Sequence, residues 1–288
     1  MTRILLSLML FAFVGDTFGA PARRVRALDS LAATLEPDHK LAYKTVDGRE
    51  LKLHFFNPPN LAPSEERAAF VVIHGGGWSG GEPRWFYPIA DHFAKRGLVG
   101  VSIEYRLLSK SSKTTVFDCV KDGRSAIRFL RSHAGELGID PNRIIVAGGS
   151  AGGHVAVGTA LFDRIDDPND DVLVSAVPDA LILLYPVIDT SDKGYGQKKI
   201  GDAWRELSPV DHVRAGLPPT LTFHGDADRV TPYPGAARFH ELMLAAGNDS
   251  ILVTHPGGDH GYLIFDLDLY RNFLAQTTSF LKARAIIR

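Results

Sequence analysis

The stretch that decides the fold is Arg143-Ile144-Ile145-Val146-Ala147-Gly148-Gly149-Ser150-Ala151-Gly152-Gly153. Its first half is an apolar run that reads as a short buried strand, and its second half sets a serine among glycines. A G-x-S-x-G sequence at a strand exit is a nucleophile elbow, a sharp turn that holds the serine in a strained backbone conformation. A Cβ on the flanking glycines would crowd that turn, and their absence leaves the hydroxyl clear. The Ala/Gly/Val-rich segment from Ala151 to Leu161 reads as the helix that the elbow feeds. The competing reading of the same residues is a flexible glycine-rich turn.

A second glycine cluster argues against that alternative. The apolar run Phe70-Val71-Val72-Ile73 is followed directly by His74-Gly75-Gly76-Gly77-Trp78. A serine that attacks a carbonyl generates an oxyanion, and backbone N–H groups are fixed dipoles suited to stabilise it. Several amides converge on one oxygen only where side chains are small, hence the glycines. The expected donors are Gly76, Gly77 and Ala151, with Gly75 as their neighbour. A phosphate-binding loop is the alternative, but there is no Lys-Ser/Thr ending and no G-x-G-x-x-G opening a helix.

A serine nucleophile needs a base and an acid, in the order Ser, Asp/Glu, His for this type of elbow. Pro219 to His224 is strand-like and is left by the loop Gly225-Asp226-Ala227-Asp228-Arg229-Val230-Thr231-Pro232. Ile251 to Thr254 is the next strand, with His255-Pro256-Gly257-Gly258-Asp259-His260-Gly261-Tyr262 as its exit loop. Gly235 to Ala246, with apolar positions at Ala237, Phe239, Leu242 and Leu244, reads as the crossover helix between them. Parallel strands joined by a helix bring the two exit loops side by side.

Taken together these motifs resemble the α/β-hydrolase carboxylesterases of the HGGGW/GGSAGG type. They are similar to the hormone-sensitive-lipase-like esterases and to small acetyl or feruloyl esterases that act on plant polysaccharides. The resemblance runs from about Ala69 to the C-terminus and includes Tyr105-Arg106-Leu107, Gly138-Ile139-Asp140-Pro141-Asn142-Arg143, His224-Gly225-x-x-Asp228 and Gly258-x-His260-Gly261. It implies an α/β-hydrolase fold, a mostly parallel central sheet with helices on both faces and at most a small lid. It also implies Ser150 as nucleophile, Asp228 as acid and His260 as base, with no metal or organic cofactor. Asp226 is the rival acid. His255 and His224 are expected to pack or hydrogen-bond, and His74 and His154 to brace the glycine loops. Trp78 and Tyr262, beside the oxyanion loop and the base, are expected to touch substrate; Trp85, Phe86 and Tyr87 near the same loop suit a bulky alcohol partner too, with at least one of these four aromatics in the core. After Tyr105-Arg106-Leu107 the chain continues Leu108-Ser109-Lys110, without the Ala-Pro-Glu of many lipase-like relatives.

Composition fits an ordinary globular enzyme. The 288 residues are 45% hydrophobic, enough for one large core, and alternating strand and helix signals suggest one α/β domain over residues 23–288. Lys plus Arg total 32 against 33 Asp plus Glu, a formal net charge of -1, so nothing points to nucleic acid. The single Cys119 lies in the helical-looking segment Val116 to Ser132; it excludes an intramolecular disulfide and reads as core filler. Arg3, then an apolar run from Ile4 to Val14, then Ala20-Pro21-Ala22, lay out a secretory leader over residues 1–22 that is too short for a stable membrane anchor. Export with one cysteine points to a bacterial periplasmic or secreted protein.

Leu41 to Lys44 and Leu51 to Phe55 read as a hairpin closed by Val46-Asp47-Gly48-Arg49. The loop Asp163 to Asp171 carries five aspartates without EF-hand spacing and reads as a solvated loop. Pro186 to Leu217 is the sizeable excursion between strands, polar and with no long amphipathic segment. These features predict an open site for a small-molecule or polysaccharide ester: a short-acyl carboxylesterase that deacetylates carbohydrate of the acetyl-xylan kind. The alternatives are a lipase-like esterase, a serine peptidase of the same fold and a non-catalytic binding module.

Overall fold

In a computed structural model the described residues are 26–61 and 65–288. The leader expected over residues 1–22 lies outside them. Eight strands form one sheet, β1 (His39–Val46), β2 (Arg49–Phe56), β3 (Arg67–Ile73), β4 (Val99–Ile103), β5 (Ile139–Gly149), β6 (Ala180–Leu184), β7 (Thr220–Gly225) and β8 (Ser250–His255). Their order is β1-β2-β4-β3-β5-β6-β7-β8. The pairs β1–β2 and β2–β4 are antiparallel, and every pair from β4 to β8 is parallel. The helices are α1 (Ala27–Ala32), α2 (Tyr87–Ala94), α3 (Val116–Ser132), α4 (Ala134–Leu137), α5 (Ala151–Leu161), α6 (Gln197–Ile200), α7 (Tyr233–Ala245), α8 (Tyr262–Phe265) and α9 (Leu267–Ala283). The mostly parallel α/β-hydrolase sheet expected from the sequence is therefore present.

The two-residue period of the strands splits the core into two layers. Ala69, Val71 and Ile73 of β3 and Ile144 and Val146 of β5 face the layer of α3, α5 and α7. Ala68, Phe70, Val72, Ile145 and Ala147 face the layer of α1, α2 and α9. A central strand covered on both faces has no water-facing side, which is why these strands are continuous apolar runs. The N-terminal hairpin closes on Asp47 (φ 50°) and Gly48 (φ 76°), the left-handed pair that matches strand twist in a two-residue turn. α3 spans the predicted Val116 to Ser132 and starts with a Thr115–Asp118 capping box, with Cys119 buried in its core face.

One expectation is corrected. The acidic loop is not merely solvated, because α3 turns two arginines toward it. Asp166 pairs with Arg124 and Arg128 at 2.7 Å each, Asp170 with Arg128 at 3.0 Å and Asp167 with Lys44 at 2.6 Å. Asp163 pairs with Arg214 at 2.6 Å. The aspartates neutralise cations presented by neighbouring elements, a partnership that local sequence does not encode.

Candidate active site

The site is built where β5 ends. Ser150 has φ 55° and ψ -123°, a region that L residues rarely occupy. It is held there by hydrogen bonds on both sides. Its N–H donates to the Leu184 carbonyl at 2.9 Å, and its carbonyl accepts from His154 and Val187 at 3.1 Å each. The neighbouring glycines are required by close approach. A Cβ on Gly152 would lie 2.2 Å from the Ile73 carbonyl oxygen, and one on Gly148 would lie 2.2 Å from that of Gly152. α5 thus rests directly on the backbone of the sheet, and the elbow is its N-terminus.

Ser150, His260 and Asp228 come together although 110 residues separate the first two. The Ser150 Oγ lies 2.9 Å from His260 Nε2, and His260 Nδ1 lies 2.8 Å from Asp228 Oδ2. His260 packs edge-on against the Tyr185 ring at 5.0 Å. The second carboxylate oxygen of Asp228 accepts the N–H groups of Val230 (2.8 Å) and Thr231 (2.9 Å). The Thr231 hydroxyl donates to Oδ2 at 2.9 Å and stands 3.2 Å from His260 Nδ1. Burial alone would raise the Asp228 pKa. Hydrogen bonding from the His224 and His260 rings outweighs it and holds the carboxyl well below the usual range. A fixed anion beside Nδ1 keeps the Nδ1–H tautomer and leaves Nε2 free to accept the serine proton.

The expected oxyanion donors follow from peptide geometry. In a trans peptide the C=O and N–H point in opposite directions. The Gly75 carbonyl is 2.8 Å from His74 Nδ1, the Gly76 carbonyl accepts from Ser79 and Gly80, and the Ser150 carbonyl is taken as above. The amides of Gly76, Gly77 and Ala151 are thereby turned away from those anchors, and among the described residues none donates to a protein acceptor. Gly75 brings the loop against Ser150, since a Cβ there would sit 3.1 Å from Ser150 Cβ. The excursion after β6 pins the loop's far end, where Lys199 donates from Nζ to the Gly77 carbonyl at 2.9 Å and to the Tyr195 hydroxyl at 3.0 Å. His74 and His154 brace this region as expected. His74 stacks on Tyr105 at 4.6 Å, and His154 Nε2 meets the Leu207 carbonyl at 2.7 Å.

Above Ser150 lies a cleft of about 350 Å³, lined by the glycine loop, Arg26, Trp85, Phe86, Tyr185, Tyr195, His260 and Ile264 among others. The two substrate-contacting residues named from sequence are not among its lining. Trp78 is fully buried, edge-on to His154 at 5.2 Å, because its backbone turns inward at φ 61°. Tyr262 is buried and stacked flat on His255 at 4.5 Å. Of the four aromatics near the glycine loop, Trp85 and Phe86 line the cleft, and Trp78 and Tyr87 are buried away from it. Asp226 is directed away from the base, and its carboxylate accepts the Gly257 N–H at 2.6 Å. His224 is part of the site's support, its Nε2 lying 2.7 Å from the Thr231 carbonyl and 3.4 Å from Asp228 Oδ2. Sequence reading missed Thr231, Tyr185, Arg26 and Lys199. Only Thr231 left a local trace there, as a hydroxyl three residues after the acid in a turn. No group of three or more His, Cys, Asp or Glu placed to hold a metal occurs among the described residues, and none of their helices is long and apolar enough to cross a membrane.

The BD-FAE family profile matches residues 57–243, which include Ser150 and Asp228. The probable carboxylic ester hydrolase LipM of Mycobacterium tuberculosis is 29% identical over 235 residues, 75% of this chain and 54% of LipM. The carboxylesterase NlhH of the same organism is 29% identical over 264 residues, 81% of this chain and 78% of NlhH. This chain therefore spans little more than half of LipM's length. Esterase 2 of Thermogutta terrifontis, solved as phosphoramylated by tabun, is 38% identical with a TM-score of 0.82, covering 86% of this chain and 95% of that one. The same esterase solved with butyrate bound is 37% identical with a TM-score of 0.81. With the elbow, the glycine loop and the profile match all falling on one eight-stranded sheet, the chain belongs to the BD-FAE family, among esterases of the α/β-hydrolase fold.

Proposed function

We propose that this protein is a serine carboxylesterase that hydrolyses short-chain acyl esters through an acyl-enzyme. The observation that carries the reading is the unbroken relay from Ser150 Oγ to His260 to Asp228, at 2.9 and 2.8 Å, beside three amides without acceptors among the described residues. His260 Nε2 takes the Ser150 proton as Oγ attacks the ester carbonyl, and Asp228 stabilises the imidazolium. The oxyanion is met by the amides of Gly76, Gly77 and Ala151, at the positive end of α5. His260 returns the proton to the leaving alcohol, and water then releases the acid by the same route. A small acyl group suits the cleft, because Tyr195 and Lys199 close its Gly77 side. The propionate- and butyrate-bound structures of Thermogutta terrifontis esterase 2 favour the same acyl size.

For the alcohol, the proposal is a carbohydrate carrying acetyl groups. The open cleft supports it, since the Ser150 hydroxyl can be reached from solvent by a bulky sugar chain. The first 22 residues are proposed as a secretory leader, consistent with a polymer outside the cell.

The test is hydrolysis of p-nitrophenyl acetate, butyrate and octanoate beside acetate release from acetylated xylan. Ser150→Ala is expected to reduce kcat by about 10⁴-fold or more. Acetate or butyrate preference with release from xylan supports the reading. Octanoate preference without xylan activity turns it to a lipase-like esterase, and a folded wild type that no fluorophosphonate labels makes it a binding module.

A further inference from the structure

One cation of the cleft has no part in the triad or the oxyanion hole. Arg26 and Trp85 both line the space above Ser150 and His260. The Arg26 guanidinium carbon lies 4.2 Å from the centroid of the Trp85 ring, a cation–π seat that fixes the plane of the fork. The side chain is only 20% exposed. Its Nε is buried with no hydrogen-bond partner, and none of its N–H groups donates to a protein acceptor among the described residues. The Asp29 Oδ1 atom stands 3.5 Å from Nε, on a side chain that is itself 47% exposed. Tyr185, whose ring packs against His260, lines the same cleft. The cleft is lined by glycines, aromatic and aliphatic residues, Ser150 and His260, and no carboxylate is among the lining residues.

Withdrawing Nε from water without a hydrogen-bond acceptor is costly, while the two terminal nitrogens keep solvent contact on the cleft side and are open to a ligand. A planar guanidinium offers two parallel donors that match the two oxygens of a carboxylate. A single cation over an aromatic face balances one negative charge rather than the two of a phosphate monoester. We infer that Arg26, seated on Trp85, binds a carboxylate borne by the ester substrate near its scissile bond. The inference rests on the esterase reading for what the carboxylate is attached to. The carboxylate belongs either to the alcohol, as in a sugar acid or hydroxy acid, or to the acyl group, as in a dicarboxylic half-ester.

The test measures binding apart from turnover. Ser150→Ala protein is titrated calorimetrically with 4-acetoxybenzoate (carboxylate on the alcohol side) and monobenzyl succinate (acyl side), each beside its neutral methyl ester. At least one anion is expected to bind about ten-fold more tightly than its methyl ester, the size of a charge-assisted hydrogen bond. Adding Arg26→Gln is expected to bring that ratio to about one, while Arg26→Lys keeps part of it. The anion that shows the preference identifies the side of the ester. Equal binding of both pairs, or a preference that survives Arg26→Gln, overturns the inference. Wild-type hydrolysis of methyl 4-acetoxybenzoate reads the esterase function alone. Its absence alongside an Arg26-dependent binding ratio removes that function and leaves the carboxylate site standing.

Discussion

Thr231 shows how much of the proposed Ser150–His260–Asp228 triad lies outside its three members. Its hydroxyl and its amide both reach Asp228, and its carbonyl meets His224, so one residue ties the acid to the loop that carries it. Because Asp228 is an anion, the hydroxyl contact is charge-assisted and of order 1.5–3 kcal/mol. Thr231→Val is therefore expected to lower kcat about 10- to 100-fold with little change in KM, and Thr231→Ser to restore most of the loss. A fall in KM alone, or no recovery in the serine variant, would count against this positioning role. Ser150, Asp228 and His260 were legible in the sequence because each sits in a glycine-rich loop at a strand end. Trp78 and Trp85 were not distinguishable there. Both are tryptophans beside the glycine loop, and only the inward turn at Trp78 decides which one reaches the cleft.

At the scale of elements, the elbow works because α5 and β3 touch through backbone. Gly152 carries that contact, and a methyl group there would lie 2.2 and 2.3 Å from the carbonyl oxygens of Ile73 and His74. Neither atom is free to yield, so α5 must withdraw from the sheet and take Ser150 with it. Overpacking of this kind costs about 1–3 kcal/mol, and Gly152→Ala is expected to lower Tm by several degrees while collapsing kcat. Gly135→Ala provides the contrast, since a Cβ there meets nothing within 4 Å and the residue lies in α4. Thermal melts of the two variants check the argument, and equal melting temperatures would refute it. The strands β5, β7 and β8 and the crossover helix were readable from hydrophobic runs and punctuation alone. α7 begins at Tyr233, two residues before the expected start, because Pro232 and Pro234 suit a first helical turn.

Over the whole molecule, burial of histidines couples stability to pH. His74 and His154 are pushed down to about 4 from an ordinary value of 6.5, in both cases chiefly by burial. Their unfolded forms take up protons that the folded forms refuse. The stability they contribute is therefore complete above about 6.5 and is lost as pH falls toward 4, by order 3 kcal/mol each. Asp228, held below the usual carboxylate range, adds to the loss at still lower pH. The urea midpoint is expected to fall steadily between pH 7 and 4, with a shallower fall in His154→Gln. A midpoint that does not move over that range would remove the explanation.

The sequence by itself determined the strands on either side of the elbow, the strained elbow itself and the three loops that carry Ser150, Asp228 and His260. These are local properties: apolar period, the need for glycine where backbones touch, and the placing of polar residues at strand exits. The tertiary structure decided what meets across the sheet. It settled that Asp228 rather than Asp226 faces His260, that Lys199 ties down the Gly77 carbonyl, that the acidic loop neutralises the arginines of α3, and that Arg26 rather than Trp78 lines the cleft. The reason is physical, because these pairings join residues far apart in the chain, and their geometry exists only once strand register and helix packing are fixed.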